Sequence, residues 1–456
     1  MVARQTQTGE VNGMRSGAFR FCTHTAAGLR TAGVMAAVMA FVVGCGARKP
    51  ADEAHSPPRE TVSQPVELTP ELITTLERAK DFKLGIEVEQ GRNGADLKFE
   101  RIALFINDQS ADQRGVSTAQ LLRDDPQFTL FKVAIPGAQP PSPCLTKAIE
   151  GVPAEKIVRL RDQGPLNEND FADVTAIVWD IPLTGMRFSP EVPLLGRVME
   201  MASKRDMKVV VLDRPTLLPV LMWEGPVADR DAMGSENAYF PLPTLPGLTV
   251  GELASLINAE FALQTRLIVV PMENWNRKDA NGPLAGSRST VACPAGGDAS
   301  LAAFRAVAAL LNGSLEQGSG PMTARVGADA AGPFLAINAT DGEKAAAVRK
   351  ALEELDLGGV AIAAGETATG SSIILRGKDG EVLMPVELSL QIYHALSQGK
   401  LNIPESATKL FGSRVIEQGL ARGLTSDQIR RRWSITQDAR DWPERREKYI
   451  LYPEGQ

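Results

Sequence analysis

Only four cysteines and three histidines occur in 456 residues, and aromatic residues make up 5%. Four cysteines are too few to build a disulfide scaffold. Of the histidines, His24 falls in the leader and His55 in the tether described below, which leaves His394 inside a predicted helix. A histidine-based metal site or a Ser-His-Asp triad is thereby nearly excluded, and no cofactor is expected. There is no basic excess: 49 lysines and arginines face 55 acids, a formal net charge of −6. Without that excess no nucleic-acid polyanion is expected as a partner. A G-x-x-x-x-G-K-[ST] loop is lacking, and no G-x-G-x-x-G follows the first strand, so the glycine routes to nucleotide binding are unsupported. What remains, 43% hydrophobic and 23% charged, is the composition of a globular chain.

The one long apolar run is the twelve residues Ala32–Val43, too short for the roughly 20 a bilayer-spanning helix requires. Arg4, Arg15, Arg20 and Arg30 precede it and Gly44-Cys45 follows, which is the basic–apolar–small order of an export signal. Val42-Val43-Gly44-Cys45 has the form of a bacterial lipobox, in which the cysteine is lipidated and becomes the first mature residue. Met14 is an alternative start to Met1 that gives a leader of more ordinary length. Residues 1–44 are thus expected as signal peptide, and residues 45–68, rich in proline and charge, as a lipidated cysteine with a flexible tether. The expected location is extracytoplasmic, lipid-anchored through Cys45, at the outer membrane facing the periplasm; Gly46 lacks the aspartate that commonly retains lipoproteins at the inner membrane. Cys144 and Cys293 are free to pair in such a compartment, although no spacing rule decides it.

Past the tether, Thr69-Pro70-Glu71 opens a helix. Short β-branched runs at 101–106, 130–135, 175–179, 208–212 and 266–270 then alternate with helical patterns at 117–123, 191–204 and 250–261. The last follows the capping box Thr249-Val250-Gly251-Glu252. Continuous apolar strands between helices indicate a parallel sheet covered on both faces. The fold class expected is therefore α/β: a Rossmann-like domain over 69–297, then a smaller α/β auxiliary domain over 298–456, with a cleft between them. In the second, the sequence predicts a helix over 301–311, a strand over 334–338 and a capping box at Thr340-Asp341-Gly342-Glu343. Strand 360–363 and a hairpin of 372–375 with 381–384 follow, then a helical end capped at Thr425 and carrying Arg430, Arg431 and Arg432.

Open parallel sheets bind ligands beyond their strands' carboxyl ends. Asp180 and Asp213 terminate two strands, and Glu224 follows in Trp223-Glu224-Gly225-Pro226, so these three carboxylates are the candidate acid, base or nucleophile of glycoside hydrolysis. Pairing with Arg187 or Arg214, or capping of helices, is the competing role for each.

At these residues the sequence resembles the exo-β-N-acetylmuramidase (NamZ-like) family, long catalogued as a domain of unknown function. The resemblance is carried by RIALFINDQSADQRG (101–115), DIPLTGMRF (180–188), VVVLDRP (209–215), Glu224-Gly225-Pro226, LTVGELASLINAE (248–260), VVPMENWNR (269–277) and the closing stretch 429–452. It implies a Rossmann-like domain with an auxiliary domain, and exo-lytic release of N-acetylmuramic acid from peptidoglycan fragments. Peptidoglycan or a muramic-acid-containing glycan is the implied partner, with Asn107, Arg187 and Arg214 as substrate-binding candidates. The departures are selective. Where the family carries Pro-Glu-His-Gly, this chain reads Pro136-Gly137-Ala138-Gln139, without the expected catalytic acid or its histidine. Where it carries Asp-Ile-Gln-Asp, the second acid is Leu183; where it carries Arg-His-Gly-Met-Thr, the chain reads Leu245-Pro246-Gly247-Leu248-Thr249. Loss of a general acid alone costs about 10²–10⁴-fold in rate. The expectation is a glycan-recognising envelope protein with weak or no hydrolysis. The alternatives are an active glycosidase using Asp180, Asp213 and Glu224, and an envelope interaction scaffold.

Only a thiol at position 45 can form the thioether to a diacylglycerol, and two acyl chains anchor stably where one is marginal. Cys45→Ala is expected to abolish membrane retention and normal maturation on cell fractionation without disturbing the fold. A variant that still matures and still sediments with membranes overturns the lipobox.

Overall fold

In the computed structural model the described residues are 81–137, 141–161, 164–218, 220–278, 299–312, 322–339, 341–367, 370–378, 381–398 and 409–452. The leader, Cys45, the tether and the helix expected at Thr69 lie outside them. No helix among the described residues is long and apolar enough to cross a membrane. Residues Glu67–Gln456 form one unit.

Its first half holds helices α1 (Gly85–Gly91), α2 (Thr118–Asp124), α3 (Pro143–Ala148), α4 (Glu191–Lys204) and α5 (Val250–Glu260). Strands β1 (Arg101–Phe105), β2 (Thr129–Ile135), β3 (Ile157–Arg159), β4 (Ala176–Trp179), β5 (Lys208–Leu212), β6 (Glu224–Val227), β7 (Pro243–Leu245) and β8 (Arg266–Val270) run between them. Six of the strands form one sheet in the order β3-β2-β1-β4-β5-β8, every neighbouring pair parallel. β4 is buried along its whole length and β5 at all but its first residue, which is why both read as unbroken apolar runs. Strand order reverses direction between β1 and β4, so the crevice of an open α/β sheet falls where Asn107 and Asp180 leave their strands. The Thr249–Glu252 box caps α5, as the sequence predicts, and Ser117, expected as the first residue of its helix, is the N-cap of α2. Cys144 is disulfide-bonded; Cys293 lies outside the described residues.

The second half carries α6 (Ala299–Asn312), β9 (Met322–Asp329), β10 (Gly332–Ala339), α7 (Gly342–Glu353), β11 (Val360–Thr367), β12 (Gly370–Gly377) and α8 (Pro385–Gln398). The four strands form an antiparallel sheet, β11-β12-β10-β9. Phe304 and Leu310 of α6, Val348 and Leu352 of α7, and Leu390 and Tyr393 of α8 share one core with Leu335, Ile337, Ile373 and Leu375 of the sheet. Helices α9 (Arg414–Ala421), α10 (Ser426–Ser434) and α11 (Gln437–Glu447) end the chain. The core continues through Met186, Phe188, Leu218 and Leu245 of the first half, so the two sheets' cores are joined by packing.

Two expectations differ from the structure and one strand was not expected, each for a physical reason. Residues 381–384 form no strand: β12 already has a partner on each side, β10 and β11, and Pro385 begins α8. The hairpin instead joins β11 to β12. Asp341 caps α7, its Oδ1 accepting from the N–H groups of Glu343 and Lys344, while Thr340 lies outside the described residues. The sequence MTARVGAD alternates too weakly to announce β9, which exists because β10 offers it an edge.

The start of α5 lies against the carboxyl end of β5. A Cβ on Gly251 would sit 2.8 Å from Asp213 Cγ and 2.5 Å from a Val269 methyl. Gly251→Ala should therefore lower stability by about 1–3 kcal/mol, read from the urea midpoint at unchanged m-value. An unchanged midpoint would remove this contact as the reason for glycine.

Candidate functional site

Asp180 and Asp213 occupy neighbouring strand ends, and both are fully buried. The Arg214 guanidinium grips Asp180 through Nε and Nη2, the latter at 2.7 Å, and Thr118 Oγ1 donates to the same carboxylate. Burial pushes the Asp180 pKa up, against the opposing pull of Arg214 and Thr118. Ser110 Oγ donates to the Asp180 carbonyl at 2.7 Å and so closes the crevice between β1 and β4. Arg214 Nη1 is buried with no partner among the described residues.

Asp213 is held by more groups still. Its Oδ1 accepts from the N–H of Gly251 at 2.8 Å and from its neighbour Arg214 at 3.0 Å. Its Oδ2 accepts from Thr249 Oγ1 at 2.8 Å and from the Tyr452 hydroxyl. Burial, then the charge of Glu252, raises the Asp213 pKa to about 6 against those donors. Tyr452 arrives from the chain's far end: its hydroxyl also accepts from the Met272 N–H, and its ring packs edge-on against Trp275 at 4.8 Å. Arg446 and Arg277 both donate to the Val220 and Gly247 carbonyls, and Arg277 also pairs with Glu252.

Glu224, on β6, faces another direction. Its two carboxylate oxygens accept from the backbone N–H groups of Val386, at 2.9 Å, and Glu387, so it caps α8 from across the structure. Gly225 beside it has φ +82°, the left-handed region that favours glycine, and Thr244 leaves no room for a Cβ. Burial lifts the Glu224 pKa to about 8 against its two backbone donors.

The structure therefore brings Asp180 and Asp213 together, linked through Arg214, and sets Glu224 apart on a helix terminus. Each carboxyl is engaged by an arginine or by the first turn of a helix. Of the substrate-binding candidates, Arg187 is fully buried and donates only to carbonyls, those of Pro226, Asn237, Leu242 and Leu410, which ties the β6–β7 hairpin to the segment before α9. Burial lowers its pKa to about 10. Asn107 Oδ1 accepts from the Gln109 N–H and the Ser110 hydroxyl and so shapes the turn after β1. Gly137 is described at the end of β2, whereas Ala138 and Gln139 are not. Among the described residues no group of three His, Cys, Asp or Glu could hold a metal.

A groove of about 500 Å³ opens beside Glu224, lined by Trp223, Glu224, Gly225, Met384, Glu387, Arg430, Trp433 and Ser434. That volume lies within the range of small-molecule sites. Met384, Trp433 and Ser434 were not foreseen as site residues, because their proximity to Trp223 arises only when α8 and α10 pack on β6. The two tryptophans were the one available signal in a chain holding five.

A six-stranded parallel sheet in this order, followed by an antiparallel sheet with its own helices, defines an α/β protein with a smaller second sheet. Residues 102–284 match the family described as exo-beta-N-acetylmuramidase NamZ, N-terminal. It is 36% identical over 106 residues to the peptidoglycan beta-N-acetylmuramidase NamZ of Bacillus subtilis (strain 168), a match spanning 23% of this chain and 25% of that protein. Two crystal structures of DUF1343-family proteins of Bacteroides fragilis NCTC 9343 share the fold. One has a TM-score of 0.64 at 21% identity, the other 0.56 at 18%; each likeness covers 82% of this chain, and 99% and 100% of the respective neighbour.

The raised acids carry a pH signature. A carboxyl whose folded pKa lies above its unfolded value keeps a proton that unfolding releases, so its contribution to stability declines as pH rises between the two values. For Glu224 that window runs from 4.5 to about 8, and for Asp213 from 3.8 to about 6. The stability difference between wild type and Glu224→Gln, which cannot titrate, is expected to shift against wild type from pH 5 to pH 8 in urea unfolding. A constant difference would show that Glu224 is already ionised at pH 5.

Proposed function

We propose that this chain is a cell-envelope lipoprotein, anchored at Cys45, that recognises muramic-acid-type glycans and hydrolyses them weakly or not at all. One observation carries the reading. The carboxyls at the family-like sheet edge, Asp180 and Asp213, are buried and saturated with donors, and Glu224 has both oxygens on the N-terminus of α8. A general acid must present its proton to a leaving oxygen within hydrogen-bond reach. A carboxylate fixed by three or four donors in the interior cannot do so without dismantling what it holds. The sequence removes the remaining route, since Gly137 stands where the family places its acid. The similarity to a Bacillus subtilis protein named for peptidoglycan supports the ligand class. Relocation of the active carboxylates to Asp180, Asp213 and Glu224 finds no support in this geometry.

Incubation of the purified protein with a muramic acid–glucosamine disaccharide, beside co-sedimentation with purified peptidoglycan, tests both halves. Binding without release of free muramic acid is the expected result. Release at about 1 s⁻¹ or faster, a rate ordinary for enzymes, overturns the non-hydrolytic half. Failure to sediment overturns recognition.

A further inference from the structure

The groove beside Glu224 has a composition that singles out one kind of occupant. Trp179, Trp275, Trp433 and Trp442 are buried in the cores, whereas Trp223 is half-buried and lines the groove. Met384 and the little of Trp433 that is not buried add to the apolar lining beside it. On the mouth stands Arg430, exposed on α10. Its partner is Asp427, whose Oδ1 meets Arg430 at 2.5 Å while its Oδ2 meets Arg431 at 2.7 Å. One carboxylate thus serves two guanidinium groups, and both pairs are solvent-exposed, where such contacts are worth little. Arg430 can turn to another anion while Arg431 keeps Asp427 neutralised.

The acids lining the groove are arranged compatibly. Glu224 directs both oxygens into the first turn of α8, not into the open volume, and its raised pKa removes negative charge from the floor. Glu387, half-buried beside Glu224, also lines the groove and offers an acceptor for a hydroxyl or amide N–H.

We propose that this groove seats one pyranose ring carrying a carboxylate substituent, with Trp223 against the ring face and Arg430 paired to the carboxylate. The placement is independent of the sheet edge and rests on the preceding reading only for the class of glycan. No bond is made or broken here, so the groove is a binding seat.

The test titrates the full chain with N-acetylmuramic acid and with N-acetylglucosamine, which lacks the lactyl carboxylate, by calorimetry and tryptophan fluorescence. Arg430→Gln changes an exposed side chain, and Ser434→Trp fills the mouth from an exposed position on α10. Wild type should bind the acidic sugar more tightly, and glucuronic acid should share that preference if the carboxylate alone is read. Arg430→Gln should weaken N-acetylmuramic acid about tenfold or more and leave N-acetylglucosamine unchanged, and Ser434→Trp should weaken both. Binding of N-acetylmuramic acid that neither substitution alters overturns the groove while leaving glycan recognition standing. So does wild-type protein that sediments with peptidoglycan yet binds no single sugar. Loss of peptidoglycan sedimentation together with sugar binding overturns both readings.

Discussion

The Asp213 carboxylate receives donors from its own strand's continuation, from the first turn of α5 and from Tyr452 at the end of the chain. These segments lie far apart in sequence, and a buried anion that lost any one of them would be left under-solvated in a medium that solvates charge poorly. The Asp213 site therefore fixes where α5 may start, requires Gly251 to have no side chain, and requires the chain's end to return to the parallel sheet. Arg214 extends the same constraint to Asp180 and, through Thr118, to α2. The carboxyl edge of the sheet, where α/β proteins ordinarily receive a ligand, is here occupied by the protein's own groups.

A structural carboxyl and a catalytic one answer to different requirements. A fold needs its buried acids saturated, because an unsatisfied carboxylate is costly; a general acid or nucleophile needs an oxygen in reach of the substrate. Asp180, Asp213 and Glu224 satisfy the first requirement. The likeness to the muramidase fold consequently persists in glycines, caps and strand cores, all of which serve packing. The groove bounded by β6, α8 and α10 is lined by the half-buried Trp223 and the exposed Arg430.

Arg187 illustrates how far a side chain's chemistry depends on its neighbours. A buried guanidinium that donates to carbonyl oxygens holds its charge through their dipoles and the nearby charge of Asp229. It joins the β6–β7 hairpin to the segment before α9, and so helps to set the wall from which Glu224 reaches α8. Arg187 is thereby a clasp between the halves.

Local order was legible in the amino-acid sequence wherever short-range physics decides it. Strands 208–212 and 266–270 and helix 191–204 appear with the boundaries their apolar patterns predict, and the boxes at Thr249 and Thr425 cap the helices they announce. The alternation of strand and helix implied a parallel sheet, because only crossover helices can join parallel strands. The sequence also supplied the candidate acids and the absence of the family's own. Tertiary structure alone decided what those acids do. Whether Asp213 faces substrate or Tyr452, and whether Glu224 faces a sugar or the N–H groups of Val386 and Glu387, depends on contacts across 239 and 162 positions. It likewise decided that 381–384 is no strand and that Trp223, Met384 and Trp433 line one groove. Caps and apolar periodicity act over a turn or two of chain and leave their mark in neighbouring residues. Burial, charge pairing and the walls of a cleft are made by segments that meet only after folding, so no local pattern records them.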